Sequence, residues 1–204
     1  MHRRLEKYPD DFSAHFNLGA LSLNRKDVPA ALAHLREALR VEPEQPAALN
    51  TYGAALESDG RLDQAIEQFR HALRIQPADA SASYNLASAL AAQGRLEEAA
   101  AGFRELLASH PEDHAAGARL LEILRNLGDA AASAGRLPQA AGYYREAVAL
   151  KPDDPDLRNN FGILLARSGD TALAISQFEA ALKIDPTHAA AHRNLELARK
   201  KASR

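Results

Sequence analysis

Two histidine pairs stand at a spacing that metal sites use. His188 and His192 are four residues apart, and so are His110 and His114. Residues four apart share one face of a helix, and two imidazoles there would supply half of a zinc shell. Neither pair has an evident third ligand. Pro111 stands between His110 and His114, which works against one helix carrying both. The chain has no cysteine, so thiolate metal sites and disulfides are excluded. Adjacent carboxylates occur at Asp10–Asp11, Glu97–Glu98 and Asp153–Asp154. They fall at turns and helix starts, where capping and the helix dipole account for them without acid–base chemistry. No phosphate loop, nucleophile elbow or dinucleotide fingerprint is present. We therefore expect no catalytic residue, no metal site and no cofactor.

A third set of residues offers a different chemistry. Asn17, Asn85, Asn126, Asn160 and Asn194 occupy one position of a recurring stretch, with Thr51 as the exception. A primary amide is both donor and acceptor, so a row of them can pair with the backbone of an extended peptide whatever its side chains. The recurring stretch reads "HFNLGALS" from His15, "LNTYGAAL" from Leu49, "SYNLASAL" from Ser83, "LRNLGDAA" from Leu124, "RNNFGILL" from Arg158 and "HRNLELAR" from His192. Its starts are 34, 34, 41, 34 and 34 residues apart. Prolines keep the same beat at Pro9, Pro43, Pro77, Pro111, Pro152 and Pro186.

Between prolines the sequence reads as two helices. In the first, His15, Leu18, Gly19 and Ser22 fall on one face by their i, i+3, i+4, i+7 spacing. Asn17 then points about 150° from the middle of that stripe. The second helix carries a small residue four before a large one: Ala31/Leu35, Ala65/Phe69, Ala99/Phe103, Ala140/Tyr144 and Ala174/Phe178. Gly60, Gly94, Gly135 and Gly169 are placed to end first helices in the left-handed conformation. Asp11, Asp79, Asp113 and Asp154, each two residues after a repeat proline, are placed to cap the next helix. Pro29 and Pro138 sit where a second helix begins, a position that tolerates proline.

This pattern resembles the tetratricopeptide repeat family over residues 12 to about 200. The clearest copy reads Leu49, Tyr52-Gly53, Leu56, Ala65, Phe69, Pro77. The tryptophan often found at the first large position is absent; His15, Leu49, Ser83, Leu124, Arg158 and His192 stand there, so that slot should be less well packed. The resemblance implies an all-α fold: an α-solenoid of five stacked helix-turn-helix repeats, wound as a right-handed superhelix with a concave groove. The repeats fall at 12–45, 46–79, 80–113, 114–154 and 155–188, and residues 189–204 form a capping helix with a basic tail. Glu196 and Arg199 replace small and large packing residues there, which suits an end facing water. Residues 1–11 read as a partial repeat or a frayed end, with Leu5 and Tyr8 able to shield Phe12.

Seven extra residues lie between Pro111 and Pro152. Aligned backward from Pro152, they lengthen the first helix of repeat four to about 113–134 by about two turns, roughly 10 Å, and Leu120, Leu124 and Leu127 still share a face. The rival reading ends that helix at Gly128 and leaves "DAAASAG" as a loop.

The expected function is a non-catalytic protein-interaction scaffold. It would bind an extended peptide or partner segment along Asn17, Asn85, Asn126 and Asn160, with Phe16, Asn50, Tyr84, Arg125 and Asn159 at the neighbouring groove position supplying selectivity. In repeat-bearing glycosyltransferases, which this array resembles, groove asparagines bind peptide in this way. A rival role for the amides is bonding between neighbouring helices. Alternatives for the whole chain are an accessory positioning domain of a larger enzyme or secretion assembly, or a module that self-associates through its stack ends; a monomer is expected. Chaperone-binding relatives hold a terminal carboxylate with a clamp of Lys and Asn. Phe16, Ala20, Thr51, Ser81 and Asn85 do not reproduce it, so tails ending in "EEVD" should not bind. The charge balance, 25 basic against 27 acidic residues, does not suit a nucleic-acid partner. No apolar run is long enough to cross a bilayer and no signal peptide is visible, which favours the cytoplasm.

Overall fold

A computed structural model describes residues 9–203. The expected partial repeat at 1–11, and any shielding of Phe12 by Leu5 and Tyr8, lies largely or wholly outside them. Among the described residues the chain forms eleven helices and no strand. They are α1 (Phe12–Asn24), α2 (Val28–Val41), α3 (Pro46–Ser58), α4 (Leu62–Ile75), α5 (Ala80–Ala92), α6 (Leu96–Ser109), α7 (His114–Ser133), α8 (Leu137–Leu150), α9 (Pro155–Ser168), α10 (Thr171–Ile184) and α11 (Ala189–Ala202). Two compact units meet within α7, between Ala116 and Gly117. Both are built from the same antiparallel helix pairs.

Each helix starts and stops for a local reason. Asp11, Asp79, Asp113 and Asp154 accept from the backbone N–H three residues on, at Ala14, Ala82, Ala116 and Leu157. Asp27 caps α2 in the same way through Ala30. The last cap is a histidine: the Ala191 N–H donates to Nδ1 of His188. Pro29, Pro46, Pro138 and Pro155 lie in the first turns of their helices, where a missing N–H costs nothing. Gly60, Gly94, Gly135 and Gly169 have φ of 77°, 78°, 74° and 92°, the left-handed turn between the helices of a pair. Lys26 makes that turn in the first pair at φ 62°.

The core is a row of Ala and large side chains. Ala31/Leu35, Ala65/Phe69, Ala99/Phe103, Ala140/Tyr144 and Ala174/Phe178 are all buried. In four of the five pairs a glycine on the first helix faces the large residue: Gly19 on Leu35, Gly53 on Phe69, Gly128 on Tyr144 and Gly162 on Phe178. The Gly128–Tyr144 contact sets the register of the lengthened repeat. It places the extra residues inside a first helix of 20 residues, where α1, α3 and α5 have 13. α7 is continuous, not a helix ending at Gly128 followed by a loop. Leu120, Leu124 and Leu127 are all buried along it.

Asp154 shows what one cap contributes. Burial pushes its carboxyl up, but the Leu157 N–H and the Lys151 ammonium, both 3.0 Å away, outweigh this and hold it below its ordinary value. A carboxyl lowered on folding adds stability above its unfolded value, and that stability is lost as pH falls through the lowered one. Asp154→Ala should cost about 1 kcal/mol near neutral pH. In urea titrations the deficit should shrink as the buffer is taken into the acid range; a deficit independent of pH would contradict the assignment.

Candidate functional site

The side of the first helices opposite their packing stripe carries the asparagines, and the two units use them differently. In the unit ending at Ala116, Phe16 of α1 is half-buried and stacks on Phe12, with ring centres 5.8 Å apart, while Asn17 is exposed. On α3, the Thr51 hydroxyl donates back to the Ala47 carbonyl at 2.7 Å. On α5, Tyr84 meets Phe103 edge to face at 5.5 Å. The Asn85 amide donates from Nδ2 to Oδ1 of Asn50, 2.9 Å away across the repeat boundary. That bond uses one donor of Asn85 and one acceptor of Asn50. Oδ1 of Asn85 and Nδ2 of Asn50 keep bonding capacity, one acceptor and one donor side by side.

Glu57 was not among the expected site residues. It lies two turns beyond Asn50 on the same side of α3, half-buried, and burial alone pushes its carboxyl up from the ordinary value. At the same register the other first helices carry Leu23, Ala91, Ala132, Ala166 and Lys200, so a lone acid where four of the five others are apolar was the available signal.

In the unit beginning at Gly117, Arg125 and Asn126 of α7 are exposed. One turn on, Asp129 accepts from the Tyr144 hydroxyl at 2.5 Å. Burial and that bond together push the Tyr144 phenol well above its ordinary range. Asn159 of α9 does not line an open groove. It is only 5% exposed, and its Oδ1 accepts from Nδ2 of Asn194 on α11 at 2.9 Å. It therefore belongs to the internal bonding of the unit, not to a selectivity position, because a buried amide is kept by its partner. Asn160, the next residue, is half-buried and makes no side-chain hydrogen bond among the described residues. One turn beyond this amide pair stand Ile163 on α9 and Leu197 on α11, 37% and 65% exposed. α9 and α11 are neighbours, so the two apolar side chains share one surface with Asn160.

The asparagines thus divide. Asn85 and Asn194 bridge adjacent first helices because the facing position also holds an amide, Asn50 or Asn159. Asn17, Asn126 and Asn160 make no such bridge among the described residues.

Three of the histidines have local work. His188 receives the Ala191 N–H on Nδ1 and donates from Nε2 to Asp156. His15, His192 and Arg158 each reach back six residues to a repeat proline carbonyl, of Pro9, Pro186 and Pro152, at 2.9, 2.8 and 2.7 Å. This closes the turn between repeats.

A model of the tetratricopeptide repeat matches residues 56–124 and 131–195, and a second model with the same description matches residues 2–40 and 23–80. No curated protein matches the sequence. Among solved structures the chain is similar to YrrB, described as a TPR protein with an unusual peptide-binding site, at 20% identity and TM-score 0.65, over 94% of this chain and 95% of that one. It is similar to a TPR repeats protein from Bacteroides fragilis at 15% identity and TM-score 0.72, over 94% and 99%. It is also similar to MamA from Desulfovibrio magneticus at 23% identity and TM-score 0.57, over 87% and 97%. At these identities the likeness is one of fold, whereas the family models match well over half of the residues: the chain belongs to the tetratricopeptide repeat family.

Proposed function

We propose that the chain is a non-catalytic interaction scaffold that holds an extended segment of a partner protein against its first helices. The observation that carries this reading is the exposed pair Ile163 and Leu197 beside the unbridged amide of Asn160. Apolar side chains left in water next to an amide offer what an extended segment needs: a place for one side chain and a donor and acceptor for one peptide unit. In the other unit, the remaining donor of Asn50 and acceptor of Asn85 serve the same purpose, and Glu57 favours a cationic side chain nearby. The peptide-binding site ascribed to YrrB, a protein of the same fold, is in keeping with this use.

The test starts from peptides selected on the intact chain from a displayed random library. Ile163→Glu with Leu197→Glu should weaken the best binders by about tenfold or more, which is about 1.4 kcal/mol. Asn160→Ala should weaken them by several-fold, with the helical circular dichroism unchanged in both. Unchanged affinities in folded variants would reject the surface. A library that yields no binder at all would reject peptide recognition.

A further inference from the structure

The third helix pair has a hole where the other pairs have side chains. Between the two helices of each pair, the first large position of the first helix faces a residue of the second helix. In the first pair His15 meets His34, nitrogen to nitrogen at 3.3 Å. In the fifth, Arg158 donates to Gln177 at 3.3 Å. The second and fourth pairs hold Leu49 with Gln68 and Leu124 with Tyr143 at the same register, with Leu49 and Leu124 buried. In the third pair the two positions are Ser83 and Gly102. Both line a cavity of about 690 Å³ that runs between α5 and α6 to the turn before α5. Ala87 stands where other pairs have glycine, and a Cβ on Gly102 would lie 3.2 Å from its methyl, so the two helices approach closely only through small residues.

The floor of this cavity is apolar, from Leu73, Leu86, Leu90 and Leu106, and its charged rim is acidic, from Glu98 and Glu105. Glu98 is held by Arg95 at 2.6 Å. Glu105 makes no ion pair among the described residues. His110 lies at the far end, bonded to the Ser109 hydroxyl at 3.0 Å. Along α6 the lining extends from Glu98 to His110, about 18 Å at the helical rise, room for about five extended residues. It lies on the stripe side of α5, away from Asn85.

We propose that the α5–α6 groove is a second peptide site, which takes a short extended partner segment bearing a bulky apolar side chain next to Lys or Arg. The apolar group fills the space that His34, Gln68, Tyr143 and Gln177 occupy in the other pairs. The basic group meets Glu105, which makes no ion pair among the described residues. This site is independent of the Ile163–Leu197 surface.

The probes are two blocked peptides, acetyl-Ala-Phe-Lys-Phe-Ala-amide and the same peptide with Glu for Lys, titrated into the isotope-labelled intact chain by NMR. The lysine peptide should shift the amides of Ser83, Ala101, Gly102 and Glu105 and bind at least fivefold tighter than the glutamate peptide. Glu105→Gln should remove most of that preference. The double variant Ala87→Gly with Gly102→Gln restores the arrangement of the second and fifth pairs, fills the groove and should reduce binding at least tenfold. Ser83→Leu, which copies Leu49, does the same by a different side chain if the double variant fails to fold. Equal binding of the two peptides, shifts located elsewhere, or undiminished binding by a folded filled variant would overturn the proposal. So would a concentration-dependent oligomer that the filled variant converts to monomer, because the occupant would then be a second copy of the chain.

Discussion

Gly53→Ala lowers the stability of the chain by about 2 kcal/mol, while Gly117→Ala raises it by about 0.5–1 kcal/mol. The substitutions are chemically identical and both sit inside helices. A methyl on Gly53 would stand 2.5 Å from Cε1 and 2.8 Å from Cδ1 of Phe69, whose ring is fully buried and closed in on every side. Either the ring leaves its rotamer or α3 and α4 move apart, and overpacking of this kind costs about 1–3 kcal/mol. A methyl on Gly117 meets nothing within 4 Å, so only the gain in helix propensity remains. Gly162→Ala should behave as Gly53→Ala does, since its methyl would meet the Phe178 ring at the same 2.5 Å. Thermal unfolding followed by circular dichroism should show midpoints falling by about 4–8 °C for Gly53→Ala and rising by about 2 °C for Gly117→Ala. Shifts of the same sign at both positions would refute the packing argument.

Asn159→Ala should cost about 2 kcal/mol, against less than about 0.5 kcal/mol for Asn160→Ala. The two residues are adjacent and chemically the same, but Asn159 is buried and accepts from Asn194, whereas Asn160 has no side-chain bond among the described residues. Truncating Asn159 removes one hydrogen bond and leaves a half-buried donor on Asn194 without its acceptor, and the unmet donor is the larger part of the loss. Asn159→Ala with Asn194→Ala should therefore cost less than the sum of the single changes. Urea unfolding of the four proteins gives the coupling directly. A cycle that sums to zero would mean that the bond contributes nothing.

Most of the helices, caps and turns were legible because each rests on local chemistry; the caps at Asp27 and His188 and the left-handed turn at Lys26 were not. Pro29 and Pro138 stand in the first turns of helices, Gly94 turns between helices, and Asp79 caps, whatever surrounds them. The inserted residues were legible as helix because alanine has no competing preference. The use of the asparagines was not. Asn85 and Asn160 occupy the same register, yet one bridges to Asn50 and the other does not bridge, because the facing residue comes from a different repeat. That residue is Asn50 for one and Arg125 for the other, so the outcome is decided pairwise at long range. Glu57 was missed for a related reason: its burial depends on neighbours, not on its own helix. The missing tryptophan predicts thin packing at the first large position in every repeat, but Leu49 and Leu124 are buried there, and His15 and Arg158 bond to His34 and Gln177. The gap is found in the third pair, where the second helix offers Gly102 in place of His34, Gln68, Tyr143 or Gln177, a difference that one helix read alone does not show.

The length of α7 bears on how such arrays change size. Six or eight added residues would turn everything downstream by about 100° more or less than seven do, swinging Tyr144's glycine contact off the packing face; seven leave a phase error of about 20°. A first helix of this architecture therefore accepts seven added residues where six or eight would misplace its packing face. Genes for such arrays should tolerate in-frame duplications of 21 nucleotides within first helices far better than those of 18 or 24. A scan of such insertions at Ala54 in α3, read out by soluble expression, would reveal that spacing as a comb.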